Sequence, residues 1–90
     1  EQQDTFPPLC PDFVLELRSK TDSLRELQGK MQEYLENGLR LGWLINPQDP
    51  TVEIYRPSQE VEQRIQPDSL DGETVLPGFS LSLRRLWIDR

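Results

Sequence analysis

The strongest constraint in this sequence is a strand, a capped helix and a second strand in immediate succession. Phe13-Val14-Leu15-Glu16-Leu17 is a short apolar run of the kind that forms a strand buried on both faces. Leu41-Gly42-Trp43-Leu44-Ile45 is a second such run. Between them Leu24, Leu27, Met31, Tyr34 and Leu35 recur at helical spacing and make one apolar stripe. Ser23 with Glu26 three residues on is a capping-box pattern. Asn37-Gly38 ends the helix with the residue that best tolerates a left-handed C-cap. This order predicts parallel neighbouring strands over 12–18 and 41–46, with a helix over 23–37 packed across them. Gly29 costs that helix about 1 kcal/mol relative to Ala, so close packing is expected there.

The flanks are simpler. Residues 1–11 carry Pro7, Pro8 and Pro11 and read as an extended lead-in. Thr51-Val52-Glu53-Ile54-Tyr55 alternates and predicts an outer strand, antiparallel to the one before it. Val61 to Ile65 reads as a polar edge strand, and residues 66–78 as a loop with short turns. Leu76-Pro77-Gly78-Phe79 is a tight turn that docks an aromatic, and Leu81, Leu83, Leu86 and Trp87 close the chain. The expected class is α/β, with residues 12–90 forming one domain or part of one.

Composition narrows the function classes. Sixteen acids against ten bases give a net charge of −6, which counts against a broad DNA-coating surface. Arg18, Lys20, Arg25 and Lys30 nevertheless make a locally basic window, which reads equally as a solvated helix start. No apolar run reaches the roughly 20 residues that span a bilayer. The chain opens Glu1-Gln2-Gln3-Asp4, without Met or a basic leader, and reads as a fragment or processed chain. A single cysteine, Cys10, excludes an internal disulfide and a zinc cluster, and a cytoplasmic location is expected. The absence of histidine excludes His-based acid–base pairs and triads. No glycine pattern fits a phosphate-binding loop.

Chemistry concentrates around the first strand. Asp12, Val14, Glu16 and Arg18 point one way, and Phe13, Leu15 and Leu17 the other. An acid inside a buried strand is costly unless it is paired or binds a metal, which singles out Glu16. The plain alternative is a Glu satisfied by Arg18 or another basic group. Asp12 lies about 13 Å along the strand, too far to share one ion without a bulge. It therefore reads as a strand-start residue. Lys30 sits beside the helix stripe, next to Tyr34, from where its stem can follow the helix–sheet seam. An ordinary snorkelling lysine fits equally well. Lys20 lies near the C-terminal end of the first strand, where sites on open α/β sheets form, or is simply a loop lysine.

Several segments together resemble one family. They are Pro11-Asp12-Phe13-Val14-Leu15-Glu16-Leu17-Arg18-Ser19, Gln28-Gly29-Lys30-Met31, Tyr34-Leu35-Glu36-Asn37-Gly38 and Gly42-Trp43-Leu44-Ile45-Asn46-Pro47. Val52-Glu53-Ile54-Tyr55-Arg56-Pro57 and Val75-Leu76-Pro77-Gly78-Phe79 extend the match. In order and spacing they resemble the Uma-type family of the PD-(D/E)XK nuclease superfamily. The resemblance implies a restriction-endonuclease-like mixed sheet with flanking helices, represented here by its C-terminal part. It also implies a Mg²⁺-dependent endonuclease acting on DNA, with a homodimer expected. By that resemblance Glu16 is the metal-binding acid of the (D/E)-x-K element. Arg18 stands where that element has its lysine, and Lys30 matches a helix lysine that takes its place. The second metal-binding acid would lie on a preceding strand, before Glu1. Asp12 also belongs to a Pro-Asp pair and stays a candidate. A non-catalytic interaction or dimerisation module with the same fold is the competing expectation.

Overall fold

The computed structural model describes residues 10–88, so most of the 1–11 lead-in lies outside the described residues. Strand β1 (Phe13–Leu17) leads into helix α1 (Leu24–Glu36), which returns to β2 (Leu41–Asn46). Strands β3 (Thr51–Tyr55) and β4 (Glu62–Ile65) complete a four-stranded sheet in the order β1-β2-β3-β4. β1 and β2 run parallel, and β3 and β4 follow antiparallel. The predicted crossover unit is thus present, and the fold is a mixed α/β sheet flanked by helices.

The helix is delimited as its sequence predicts. Ser23 Oγ accepts from the Glu26 N–H at 3.2 Å. At the other end the Leu39 N–H returns to the Tyr34 carbonyl at 3.0 Å, across Gly38 with φ of 106°. That φ is open to Gly without steric cost.

Two apolar layers sandwich the sheet. On the α1 side, Val14, Leu44 and Tyr55 pack with Met31 and Leu39, and the helix adds Leu24, Leu27, Tyr34 and Leu35. On the other side Leu41, Trp43, Ile45, Val52 and Ile54 pack with Leu70, Leu83 and Trp87. β2 is buried along its whole length because both layers cover it.

Three expectations change. β1 is not buried on both faces: it is an edge strand among the described residues, and Leu15 and Leu17 are 42% and 52% exposed. The face opposite α1 is covered at Phe13, whose ring packs edge-on against Trp43 at 4.8 Å, and stays open at Leu15 and Leu17. The close approach expected at Gly29 occurs instead at Gly42. A Cβ there would lie 2.5 Å from Met31 Cε and 2.8 Å from Leu39 Cδ2, whereas one at Gly29 would meet nothing within 4 Å. Residues 66–78 are not all loop, because β5 (Ser69–Asp71) pairs antiparallel with β6 (Ser80–Ser82). The last apolar residues form a short helix, α2 (Arg84–Ile88), whose Trp87 indole N–H donates to the Pro67 carbonyl at 2.7 Å.

This second layer is pinned at two points. Arg56, just past β3, donates through Nε and Nη2 to Glu73 and through Nη1 to Glu62 at 2.9 Å. The predicted turn at 76–79 is present, and its Phe79 ring stacks on Trp43 with centroids 6.4 Å apart.

Candidate active site

The register places four side chains in one row across the α1 face. Glu16 on β1 is level with Leu44 on β2, then Glu53 on β3 and Gln63 on β4. α1 lies over Leu44, so one carboxylate emerges on each side of the helix.

On the β1 side, Lys30 Nζ stands 3.1 Å from Glu16 Oε2. The helix therefore covers the Glu16 face of β1 and not the Phe13 face. The lysine stem follows the seam, leaving the pair partly open to solvent. Glu16 is the more enclosed partner, 21% exposed against 49% for Lys30. The hydrogen bond and charge of Glu16 raise the Lys30 pKa above its ordinary value. Glu16 is next to last in β1, at the C-terminal ends of the two parallel strands, where open α/β sheets place their ligands.

The other candidates lie elsewhere. The Arg18 guanidinium turns away from Glu16: its Nε donates to the Asp22 carbonyl at 3.1 Å and its Nη1 to Asn46 Oδ1 at 3.3 Å. It braces the β1–α1 loop against the end of β2. Asp22 completes that loop by accepting from the Ser19 N–H at 2.9 Å, a bond that lowers the Asp22 pKa. Asp12 faces Arg40 at 3.9 Å, and its carboxylate is largely exposed. Lys20 is exposed in the same loop as Arg18.

A Mg²⁺ ion is held by one or two carboxylates with substrate phosphates and retained waters. Glu16 supplies one such oxygen donor. Among the described residues no group of three or more Asp, Glu, His or Cys side chains could hold a metal ion. The donor set present here is thus incomplete for a protein-built metal site.

The second carboxylate of the row has a different environment. Glu53 accepts from Tyr55 Oη at 2.6 Å and from Gln28 Nε2 at 2.8 Å. Burial, and then Glu53 itself, push the Tyr55 pKa up, so its phenol stays a donor. This cluster was not recognised in the sequence. The alternation of β3 already set Glu53 and Tyr55 on one face, but not which face α1 would cover.

The mixed sheet with its crossover and flanking helices makes this an α/β protein of restriction-endonuclease-like fold. The chain belongs to the Uma2 family, described as "Putative restriction endonuclease", which matches residues 1–84. It is similar to a crystal structure from Anabaena variabilis ATCC 29413, described as "a putative nuclease belonging to DUF820". The two share 31% sequence identity with a TM-score of 0.77, over 89% of this chain and 45% of that one. The chain therefore spans less than half the length of this structural relative. No curated protein matches it. Among the described residues no helix is long and apolar enough to cross a membrane.

Proposed function

We propose that the whole protein is a Mg²⁺-dependent endonuclease that hydrolyses DNA phosphodiester bonds. Residues 12–90 would form the C-terminal part of its single domain, and a cytoplasmic homodimer is the proposed form. The observation that carries this reading is the 3.1 Å contact between Lys30 and Glu16 on the α1 face. Phosphodiester hydrolysis needs hard oxygen ligands for the metal and a cation for the charge that develops on the phosphate. Glu16 is the proposed metal-binding carboxylate, with further oxygen donors that the described residues do not supply. When bound, Mg²⁺ would polarise the phosphoryl oxygen and lower the pKa of the attacking water. Lys30 would neutralise the phosphoryl charge as it grows, a preorganised electrostatic role. Arg18 acts on the loop that follows β1, so Lys30 rather than Arg18 fills the cationic role. Family membership and the structural relative described as a nuclease support the same reading.

The incomplete donor set favours a second reading, a non-catalytic interaction or dimerisation module that retains the fold. A nicking assay on supercoiled DNA with the whole protein separates the two. Cleavage that depends on added Mg²⁺ and disappears in Glu16→Gln is expected. A well-folded wild-type protein with no such cleavage would leave the non-catalytic reading.

A further inference from the structure

On the far side of α1 from Lys30, an open groove of about 520 Å³ separates the helix from β3 and β4. Its size falls within the roughly 300–1,000 Å³ typical of small-molecule sites. Arg25, Gln28 and Gly29 form its helix wall, and Glu53, Tyr55 and Gln63 its sheet wall. A Cβ at Gly29 would touch nothing within 4 Å, so the helix backbone itself is open to the groove. That leaves a flat surface on which a planar ring can lie.

Glu53 gives this groove its chemistry. Its carboxylate is fixed by Tyr55 and Gln28, both neutral donors, and among the described residues it makes no ion pair. A carboxylate offers about four acceptor positions, so capacity remains on a group that lines an accessible groove. Arg25 is exposed on the opposite wall. A ligand that engages both walls brings a hydrogen-bond donor for Glu53 and a negative charge for Arg25. Its planar polar edge would meet the carboxamides of Gln28 and Gln63. An ammonium or guanidinium group from a protein meets the first need and is repelled by Arg25. A nucleotide meets all three needs, through its exocyclic amino group, its phosphate and its base edge.

We propose that the groove between α1 and the β3–β4 pair is a nucleotide subsite for an amino-bearing base, with Glu53 accepting from the amino group and Arg25 facing the phosphate. The nucleotide is either a unit of a DNA strand or a free nucleotide. Only the strand source rests on the nuclease reading.

The test is a chemical-shift titration of the isotope-labelled whole protein, without added metal. Deoxycytidine and deoxyadenosine monophosphates are compared with deoxythymidine monophosphate, which has no exocyclic amino group. The first two are expected to shift the Gly29 amide and the Gln28 and Gln63 side-chain amides, binding about tenfold more tightly than the third. Glu53→Gln keeps the side-chain size and should erase that preference. If that variant fails to fold, Arg25→Ala at the exposed rim still reads the site, by weakening all three nucleotides several-fold. Tighter binding of an oligodeoxycytidine than of the monophosphate assigns the strand source, and equal affinities assign the free nucleotide. Equal shifts with the thymidine nucleotide overturn the proposal, as do groove shifts with arginine amide alone or shifts confined to Lys20 and Lys30. The readout is binding, so a protein that fills the groove but cuts no DNA refutes only the nuclease reading.

Discussion

The α1 face holds two carboxylates in the same row, and the protein treats them oppositely. Glu16 and Glu53 flank Leu44, about 10 Å apart, or two strand spacings. α1 sends Lys30 to the first and Gln28 to the second. Glu16 receives a half-exposed cation on the edge strand of the described sheet. Glu53 receives an amide and a buried phenol on an inner strand. A cation held at the solvent-open side of a carboxylate suits charge development in a reaction. Neutral donors that cannot leave suit a carboxylate held in place for recognition or for packing.

The largest effects should separate the two carboxylates by chemistry. Glu16→Gln in the whole protein is expected to lower DNA cleavage more than about a hundredfold, the scale for losing a preorganised electrostatic group. Circular dichroism should show an unchanged fold. Unchanged cleavage would make Glu16 a structural acid and remove the contrast with Glu53. Lys30→Met should cost about a hundredfold, mostly in kcat rather than KM, because its charge acts on the transition state. An equal loss in binding and turnover would reduce Lys30 to a DNA-contact lysine.

The next effect concerns stability on the Glu53 side. Tyr55→Phe removes one of the two donors to Glu53 and should cost about 1–2 kcal/mol in denaturant unfolding. The pH dependence has a definite sign. Burial raises the folded-state pKa of Tyr55 above the ordinary 10.0, so the unfolded chain loses the phenolic proton first. The contribution is fully present below 10.0 and is lost as pH rises from there through the folded value. Comparing wild type with Tyr55→Phe across that range should show the extra alkaline loss only in wild type. Parallel curves would mean that the phenol is more open to water than its packing implies.

Periodicity and caps made the β1–α1–β2 unit legible, because the α1 stripe and the Asn37-Gly38 stop are local signals. They did not reveal what covers each strand. The Leu15 and Leu17 positions look like core in sequence, yet no described element lies over them. β5 and β6 were illegible for another reason. Ser69-Leu70-Asp71 and Ser80-Leu81-Ser82 each hold one apolar residue, too few to show a period of two. For the candidate site, helix phase put Lys30 beside the stripe, but only the tertiary choice of sheet face could bring it to Glu16. The same choice aligned Gln28 with Glu53. Arg18 shows the converse: its local spacing from Glu16 suits a pair, but its guanidinium donates instead to Asn46 Oδ1 and the Asp22 carbonyl.

The smallest expected effect is the stability that the Lys30–Glu16 pair contributes. The Lys30 side chain is 49% exposed, so solvent and salt screen the attraction. Such pairs are worth under about 1 kcal/mol. The raised Lys30 pKa means that the folded state holds this proton more tightly than the unfolded state. The contribution is therefore fully present below the ordinary lysine value of 10.5 and fades as pH rises through the folded value. Urea unfolding of wild type and Lys30→Met should differ slightly at neutral pH in low salt. The difference should shrink at high salt and vanish once Lys30 is deprotonated. On the Glu53 side, by contrast, the Tyr55→Phe cost at neutral pH should persist at high salt, since no ion pair is involved. A large, salt-independent cost of Lys30→Met would mean that the lysine stem carries packing at the helix–sheet seam. The two sides of α1 would then be alike in stability and distinct only in chemistry.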